Sequence, residues 1–381
     1  MMDTDIVVLG AGAAGLAVAT TLRRREPSLR VTVVDRAVNQ TYRPWLIYTP
    51  RSRVPEHRLK LPLAELAERY GFDFYPGEAV AIDTAARKLT TTGTDISYRY
   101  LVVAAGAPAD RTRIPGSAEH ALFPCDVEDA AQFAAEVATA GTVAVVLTGE
   151  RIGPGLEYAA WLARPDADDS LSRPNVHIVV DRDLLAEQFG TSAARRIAAL
   201  FQSWDAQLHS DVGVASIQAG QVVLADGATV PAEVIAVVGP LSGPHLPFSS
   251  AELSDDHGFV PVDAYLRSPV DAAVYAAGDA AVPQDTMPWR KSWQLSIRQA
   301  DAVAAAIIAD SSGRTARPFN PAIGRRMSRI SLPDLGGKPV LVYNGKLLAS
   351  GRWLRRARAR MDHAHFSGYL PGDDRVKGLP K

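Results

Sequence analysis

The sequence predicts an α/β protein with two Rossmann-like, doubly wound domains, the first split by the second, and a short C-terminal hairpin and helix region. A strand, a glycine-rich loop and a helix follow one another near the N-terminus, and the same order recurs from residue 142. A later strand ends in Gly278-Asp279 and returns the chain to the first domain. We therefore assign residues 1–108 and 245–315 to the first domain, 109–244 to the second and 316–381 to the C-terminal region.

The N-terminal strand, loop and helix predict a dinucleotide-binding cradle. The apolar strand at residues 6–9 runs into Gly10, Gly12 and Gly15, which have the spacing of the GxGxxG fingerprint. The first glycine permits a tight turn, the second admits a pyrophosphate to the backbone, and the third lets the helix pack on the strand. Asp35 ends the next strand 20 residues after Gly15 (35 − 15 = 20), where an acid is expected to bind a ribose hydroxyl.

The rest of the first domain continues the alternation of strands and helices. Residues 42–50 form an aromatic, proline-rich loop that is too apolar for a solvated linker, so we expect it to cover another part of the molecule. The patterns after it predict a helix at 63–69, strands near 73–75 and 80–83, a hairpin, and a buried strand at 100–106.

The second strand, loop and helix repeat the first in altered form. The apolar strand at residues 142–147 leads to Gly153-Pro154-Gly155 and Glu157, and a later strand ends in Asp181. With Glu157 as the anchor, the first two glycines of the fingerprint are replaced by Glu150 and Ile152. A carboxylate and a β-branched side chain at these positions would repel and crowd a pyrophosphate, so this cradle is predicted to bind nicotinamide nucleotides weakly or not at all.

Composition excludes several classes of protein. The 381 residues, 47% of them hydrophobic, suffice for two domains with separate cores. A net charge of −1 gives no reason to expect nucleic acid as a partner. Cys125 is the only cysteine, which excludes an intrachain disulfide and a multi-cysteine metal site within this sequence. No leader and no run of about 20 apolar residues is present, so we expect a cytoplasmic protein that does not span the membrane.

The last part of the chain predicts a helix at about 292–309, a tight hairpin around Asn344-Gly345 and a basic helix. Trp353, Leu354, Ala357 and Met361 are at spacings at which they could share one face of the basic helix. This helix has three open roles: peripheral attachment to anionic lipid at the inner membrane face, packing on the body of the protein, or association with a second subunit in a homodimer. Its arginines are Arg352, Arg355, Arg356, Arg358 and Arg360.

At this point the chain resembles the FAD-dependent pyridine nucleotide-disulfide oxidoreductases with two dinucleotide-binding domains. The resemblance rests on the first cradle with Asp35, on Tyr98-Arg99-Tyr100-Leu101-Val102-Val103-Ala104-Ala105-Gly106, and on Val274-Tyr275-Ala276-Ala277-Gly278-Asp279. The branch that holds sulfide:quinone oxidoreductase and type-2 NADH dehydrogenase is the most similar. The motifs that indicate this branch are Gly153-Pro154-Gly155-Leu156-Glu157-Tyr158, Gly258-Phe259-Val260-Pro261-Val262-Asp263 and Pro288-Trp289-Arg290-Lys291-Ser292.

This resemblance implies FAD as the cofactor, with NAD(P)H uncertain and no metal. Asp35 would bind the adenosine ribose, the backbone at Val80 would lie near the adenine, and Asp279 would face the ribityl–pyrophosphate end. A helix that starts at Lys291-Ser292 would direct its dipole and a lysine charge at the flavin, although an exposed lysine is the alternative. The implied FAD-binding residues are Gly10, Gly12, Ala14, Gly15, Asp35, Arg36, Arg43, Pro44, Val80, Ala105, Gly106, Gly278, Asp279, Lys291, Ser292 and Trp293.

Three residues are candidates for catalysis: Glu157, Lys291 and Cys125. Glu157 is either a proton carrier beside the flavin or a partner of the helix dipole. Cys125 matches a cysteine position of the sulfide branch, and a packed small residue is the alternative. The other redox cysteine is replaced by Arg151 or Ile152, and a disulfide relay needs a cysteine pair, so sulfide oxidation is excluded.

The substrate is expected to be a small aromatic or quinone-like molecule. An aromatic set in the sequence provides either a flat slot for its ring or ordinary packing. Arg43 and Arg290 are candidates for orienting an anionic group. Three functions therefore remain open: an FAD-dependent oxidoreductase acting on a quinone, a type-2 NADH:quinone oxidoreductase, and a non-enzymatic, membrane-associated flavin sensor. The aromatic residues are Tyr42, Trp45, Tyr48, Trp289 and Trp293.

Overall fold

The computed structural model describes most of the chain and forms two compact units. The described residues are 2–51, 59–149, 152–164, 173–284, 291–320, 330–331, 333–335, 338–343, 346–351, 353–354, 356–358, 360 and 368–369. Unit 1 comprises Met1–Thr41, Lys60–Pro108 and Ser242–Ser328, and unit 2 comprises Tyr42–Leu59, Ala109–Leu241 and Arg329–Lys381. The functional domain boundaries given above stay a prediction.

The first part of unit 1 alternates strands and helices, as its sequence pattern predicts. Its elements are β1 (Met2–Asp3), β2 (Ile6–Leu9), α1 (Ala13–Arg25), β3 (Val31–Asp35), β4 (Asn39–Thr41), β5 (Lys60–Pro62), α2 (Leu63–Tyr70), β6 (Asp73–Pro76), β7 (Ala79–Asp83), β8 (Lys88–Thr91), β9 (Asp95–Ser97) and β10 (Tyr100–Val103).

Unit 2 contains the second such alternation. Residues 42–50, expected to be a loop, belong to a 3-10 helix at Arg43–Arg51 that packs on α4 and α5. The unit's elements are α3 (Ser117–His120), α4 (Val127–Val137), β11 (Thr142–Leu147), α5 (Gly153–Ala163), β12 (Asn175–Asp181), α6 (Leu184–Phe189), α7 (Thr191–Gln202), β13 (Gln207–Val212), β14 (Val214–Gln218), β15 (Gln221–Leu224), β16 (Thr229–Pro231) and β17 (Val234–Val238).

The chain then returns to unit 1 and ends in a small antiparallel region of unit 2. Short 3-10 helices lie at Ala251–Leu253 and Gly278–Ala280. The remaining elements are β18 (Val260–Val262), β19 (Val274–Ala276), β20 (Ala281–Pro283), α8 (Trp293–Ser311), β21 (Ile330–Ser331), β22 (Asp334–Leu335), β23 (Lys338–Tyr343) and β24 (Lys346–Ser350).

A parallel sheet of order β19-β10-β2-β3-β6 forms the centre of unit 1. All four residues of β2 and of β10 are buried, as expected for strands that are covered on both faces. The alanine-rich α1 packs against α8, and small residues at this contact let helices approach closely. The parallel sheet confirms the predicted α/β class and places the loops after β2, β10 and β19 at one edge.

A second parallel sheet, of order β13-β12-β11-β17, forms the centre of unit 2. One apolar cluster joins this sheet to the antiparallel β14-β15-β16 sheet, with members that include Val146, Val179 and Val222. At the C-terminal end, β23 and β24 pair as the predicted hairpin, whose turn lies outside the described residues. Leu354 is buried and Trp353 is 61% exposed, so the prediction that they share a face is wrong.

Candidate functional site

The loop between β2 and α1 has the backbone geometry that a pyrophosphate requires. Gly10 has a φ of +101°, and a Cβ there would lie 2.4 Å from the Ala104 carbonyl oxygen. A Cβ on Gly15 would lie 1.8 Å from the Gly10 carbonyl oxygen. Gly12 is exposed, and a Cβ there would meet no atom within 4 Å. Two glycines are therefore required by backbone contacts, and the third leaves open space at the N-terminus of α1.

Asp35 lies beside this loop at the end of β3. Its Oδ2 accepts a hydrogen bond of 2.6 Å from the Ala11 amide, and its Oδ1 accepts one of 2.8 Å from the Ala37 amide. A carboxylate offers about four lone-pair sites, so these bonds orient Asp35 without using its capacity to bind ribose hydroxyls. Arg36 is exposed next to it, and Val80 is 49% exposed, which is unusual for a strand valine.

The predicted residues after β10 and β19 reach the same edge of the unit 1 sheet. Ala105 is exposed and Gly106 has a φ of +75°. Gly278 has a φ of +76°, and a Cβ there would lie 3.0 Å from the Cβ of the buried Ala14. The Gly278 amide donates to Oε1 of Gln299, a buried residue of α8. Since β2, β10 and β19 are neighbours, the fold brings these loops together at the first cradle.

The start of α8 supplies a helix N-terminus and a positive charge to a small cavity. Ser292 caps the helix by accepting a hydrogen bond from the Leu295 amide, and Trp293 is the first helical residue. The Lys291 Nζ donates to the carbonyl oxygens of Asp279 and Ala281, at 2.8 and 2.7 Å. Lys291 and the capping residue Ser292 line this cavity together with Asp279. The charge of Lys291 is therefore held at the cavity rather than left in solvent.

A buried amide that sequence reasoning missed lies in β4. Gln40 is only 4% exposed, and its Oε1 and Nε2 have no hydrogen-bond partner among the described residues. A buried polar group without a partner costs about 1–3 kcal/mol, so such groups in native proteins call for a ligand, a water or another explanation. Both amide atoms are closed off even without a ligand, so Gln40 is not assigned to the cofactor site; the open space at Gly12 is what fits a large polar cofactor such as FAD. No signal in the sequence distinguishes this glutamine from an exposed one.

The second cradle differs from the sequence prediction in one respect. Five residues, 148–152, join β11 to α5, whereas three, 10–12, join β2 to α1. The turn is made by Gly149, which has a φ of +74° and whose Cβ would lie 2.8 Å from the Pro240 nitrogen. The expectation that the first glycine had been lost to Glu150 is therefore wrong, because the longer loop places the turn one residue earlier.

Gly155, Ile152 and Gln188 define the rest of the described second cradle, and its weak binding of nicotinamide nucleotides stays a prediction. A Cβ on Gly155 would lie 2.1 Å from Leu147 Cδ2, so this glycine brings α5 close to the sheet. Ile152 is fully buried immediately before α5. The Gln188 side chain bridges the loop: its Oε1 accepts from the Ile152 amide at 3.4 Å, and its Nε2 donates to the Gly149 carbonyl at 3.1 Å.

Glu157 is buried in α5 and forms an ion pair with the C-terminal region. Arg358 Nη1 donates to Glu157 Oε1 at 3.0 Å, and the two side chains are 15% and 7% exposed. The next residue, Tyr158, donates its hydroxyl proton to the Pro124 carbonyl, and burial raises its pKa well above the ordinary value. The charge of Glu157 is therefore matched by a guanidinium 201 residues away in sequence.

Cys125 is half-buried in a cavity of unit 2 that also contains Arg43 and Asp126. Asp126 lies between two guanidinium groups, 3.6 Å from Arg43 and 3.7 Å from Arg111. Burial raises the pKa of Asp126 against the opposing effect of Arg43. The cavity thus contains the Cys125 thiol beside the Asp126 carboxylate, whose charge is balanced by two guanidinium groups. The roles assigned to Cys125 and Arg43 stay predictions. Pro44 follows Arg43 in the 3-10 helix and is likewise untested.

The aromatic residues of unit 2 are core residues rather than the walls of an open slot. Trp45 is 1% exposed and meets Tyr42 edge to face at 5.3 Å. Tyr48 meets Trp161 of α5 in the same way at 5.5 Å. These contacts favour ordinary core packing over a slot for a substrate ring as the role of Tyr42, Trp45 and Tyr48. Other residues named in the sequence analysis lie outside the described part of the chain: Glu150, Arg151, Pro288, Trp289, Arg290, Asn344, Gly345, Arg352, Arg355 and Met361.

Two features are absent from the described residues. No group of three or more histidine, cysteine, aspartate or glutamate side chains that could hold a metal ion is found among them. Within the same residues, none of the helices combines the length and apolar character needed to cross a membrane.

Comparison with known proteins gives consistent matches. The family model for pyridine nucleotide-disulphide oxidoreductases matches residues 4–300. An NADH dehydrogenase-like protein of Mycobacterium tuberculosis is 28% identical over 297 residues, 73% of each chain. Sulfide-quinone reductase of Aquifex aeolicus is 24% identical over 388 residues, 92% of this chain and 88% of that one.

Solved structures show the same fold. Sulfide:quinone oxidoreductase from Aquifex aeolicus has a TM-score of 0.83 at 20% identity and covers 100% of this chain and 93% of its own. A ferredoxin reductase from Rhodopseudomonas palustris has a TM-score of 0.74 at 22% identity, covering 88% of this chain and 81% of its own.

Proposed function

Because the chain belongs to the pyridine nucleotide-disulphide oxidoreductase family, whose members are FAD-dependent oxidoreductases, we propose that it transfers electrons through FAD to or from a quinone-like molecule. The observation that carries this proposal is the contrast between the two cradles. In the first, Gly12 is exposed and stands before the helix, whereas in the second the fully buried Ile152 stands there and Gln188 bonds to the loop. This contrast supports FAD at the first cradle and weak or no binding of a nicotinamide nucleotide at the second.

The residues of unit 1 have distinct roles in this proposal. When bound, FAD supplies the redox chemistry by taking up and releasing electrons. The α1 N-terminus at Gly12 binds the pyrophosphate, and Asp35 binds the adenosine ribose. Lys291 and the N-terminus of α8 place positive charge at one end of the site, which stabilises negative charge that develops there.

Sulfide is not the proposed donor. Cys125 is the one cysteine of the sequence, and sulfide oxidation through a disulfide or polysulfide relay needs two. The electrons are supplied instead by a small organic molecule or another protein. Glu157, as a proton carrier, and Cys125 stay candidates for catalysis.

A type-2 NADH:quinone oxidoreductase is the second candidate. The similarity to an NADH dehydrogenase-like protein and the retention of Asp181 at the end of β12 favour it. In this case the Gln188 bridge has to open when the nucleotide binds. The two candidates differ in their donor, and both use a quinone.

Peripheral binding to an anionic membrane surface is proposed for the C-terminal helix. Trp353 is 61% exposed, and Arg356 and Arg360, three and seven positions later, are also exposed. Residues at this spacing lie on one helical face. An aromatic side chain flanked by arginines is suited to a lipid interface. Flotation with anionic vesicles should decrease in the Trp353→Ala variant, and unchanged flotation would remove this role.

Anaerobic stopped-flow mixing of the purified flavoprotein with NADH, NADPH and sulfide tests the proposal. We expect none of the three to bleach the flavin absorption at a catalytic rate. Rapid bleaching by NADH or NADPH would favour the second candidate, and rapid bleaching by sulfide would contradict the cysteine argument.

A further inference from the structure

The short 3-10 turn at Gly278–Ala280 lies against the first turn of α1, where the pyrophosphate is proposed to bind. Gly278 is buried and has a φ of +76°, a conformation that favours glycine. A Cβ there would lie 3.0 Å from the Cβ of Ala14, so the turn packs closely on α1. Asp279, the expected contact of the ribityl–pyrophosphate end of FAD, is the next residue. The position of Asp279 therefore depends on how this turn is held.

Gln299, in the second turn of α8, holds the beginning of this 3-10 turn. Its Oε1 accepts a hydrogen bond of 2.8 Å from the Gly278 amide. Gln299 is only 1% exposed. A buried polar side chain costs free energy unless it is hydrogen-bonded, so the bond to Gly278 explains a glutamine at this position of the helix. The buried residues that follow it in α8 are all apolar: Ala300, Val303, Ala304, Ala306, Ile307 and Ala309.

Lys291, just before α8, holds the end of the same 3-10 turn. Its Nζ donates to the carbonyl oxygens of Asp279 and Ala281 and lies 4.5 Å from the centre of the Phe259 ring. Gln299 and Lys291 thus bind the backbone on both sides of the Asp279 side chain. The segment from Lys291 to Gln299 therefore sets where this carboxylate lies relative to α1.

We propose that Gln299 is a positioning residue for FAD. Its bond to the Gly278 amide keeps the 3-10 turn, and with it Asp279, in place against α1 before the cofactor binds. A segment that has to be ordered on binding lowers the affinity, and Gln299 removes that cost. The inference rests on the proposed function and deepens it. It concerns the binding of the cofactor, and it does not depend on which molecules donate or accept the electrons.

Dilution of the FAD-loaded protein, with the released flavin recorded by its fluorescence, measures the dissociation constant of FAD without turnover. Gln299→Met keeps the length of the side chain but offers only a weak acceptor. It should weaken FAD binding about tenfold, because the hydrogen bond that holds Gly278 is lost. Gln299→Glu has an oxygen acceptor at the same distance from the backbone, so it should bind FAD much more tightly than Gln299→Met.

Tyr275→Phe is the matched control. The Tyr275 hydroxyl donates to Asp310, so this variant also removes a side-chain hydrogen bond to α8, but close to the other end of the helix. It should lower the urea midpoint and leave the dissociation constant of FAD unchanged.

Equal dissociation constants for Gln299→Met and the unaltered protein would overturn the proposal. Equal weakening by Gln299→Met and Gln299→Glu, or by Gln299→Met and Tyr275→Phe, would overturn it too, because a general loss of stability would then explain the effect. Since the two Gln299 variants are compared with each other, a loss of stability that they share does not affect the result. Reoxidation of the reduced, unaltered protein by a soluble quinone is recorded on the same preparation. Failure of that reaction would contradict the proposed function and not the role of Gln299, which is measured by FAD binding alone.

Discussion

Replacement of Arg358 by Met should strongly destabilise unit 2, because it removes the guanidinium that pairs with the buried Glu157 carboxylate. The two groups are 3.0 Å apart, with side chains 15% and 7% exposed. Removal of one partner of a buried ion pair costs about 3–5 kcal/mol, and the partial exposure of Arg358 places the expected loss near the lower limit. An exposed pair would contribute only about 0–1 kcal/mol.

Urea unfolding followed by circular dichroism measures this loss. With a slope of about 3 kcal/mol/M, at the upper end for small proteins, a loss of about 3 kcal/mol moves the midpoint by about 1 M. Combining Arg358→Met with Glu157→Gln should recover part of the loss, because the buried negative charge that Arg358 compensated is removed as well. Arg356→Met is the matched control, since Arg356 is exposed on the same helix and its loss should stay within about 0.5 kcal/mol. Equal midpoints for Arg358→Met and Arg356→Met would refute the reasoning.

Three further predictions concern other parts of the molecule. Burial lowers the pKa of both His177 and His209, whose Nδ1 and Nε2 atoms are 3.2 Å apart. Their contribution to the free energy of unfolding is therefore complete above the unfolded pKa of about 6.5 and is lost as the pH falls through the lower pKa values of the folded protein. Urea midpoints should fall from pH 7 to pH 5, less so in a His209→Gln variant, and equal slopes would contradict this origin. Gln40→Leu should stabilise the protein by about 1–3 kcal/mol, because it removes a buried amide without a partner among the described residues, and should leave FAD affinity in a fluorescence titration unchanged; a less stable protein would contradict this reasoning. Gly12→Ala should leave the FAD-free fold intact and weaken FAD binding, whereas Gly15→Ala should disturb the fold itself because of the 1.8 Å approach to backbone; equal unfolding of both variants would contradict the open cradle.

The first cradle was predictable because its information is local. Gly10, Gly12, Gly15 and Asp35 stand at fixed spacings in the sequence. Close backbone contacts require Gly10 and Gly15, Gly12 leaves open space, and Asp35 accepts a hydrogen bond from the Ala11 amide of the same loop. The parallel sheets followed from the same alternation of strands and helices. Fold class is therefore set by short-range pattern in this chain.

The second cradle contains two features that the sequence pattern does not predict, the position of its turn and its contact with Gln188. With Glu157 as the anchor, a loop of standard length predicts the first turn at position 150. The turn lies at Gly149, since two extra residues separate β11 from α5. Gln188 could not be assigned to this loop from sequence, because it comes 36 residues after Ile152 and carries no motif.

Side-chain partners that are far apart in sequence, such as Arg358 and Glu157, could not be predicted from the sequence either. The sequence leaves the basic C-terminal segment with three open roles and does not show that Arg358 is directed at Glu157 while Trp353 is exposed. Which arginine of a basic helix is buried depends on the register at which the helix packs. The composition and the charges of a segment do not predict the register at which its helix packs.

The central claim, that reduced flavin in this protein passes its electrons to a quinone-like molecule, is tested most directly by one anaerobic measurement. The flavin is reduced photochemically, so that no assumption about the natural donor enters, and the protein is mixed with a soluble quinone while the return of flavin absorption is recorded. We predict rapid, saturable reoxidation by the quinone. Reoxidation that is slow and strictly proportional to quinone concentration, as for free reduced FAD, would contradict the claim.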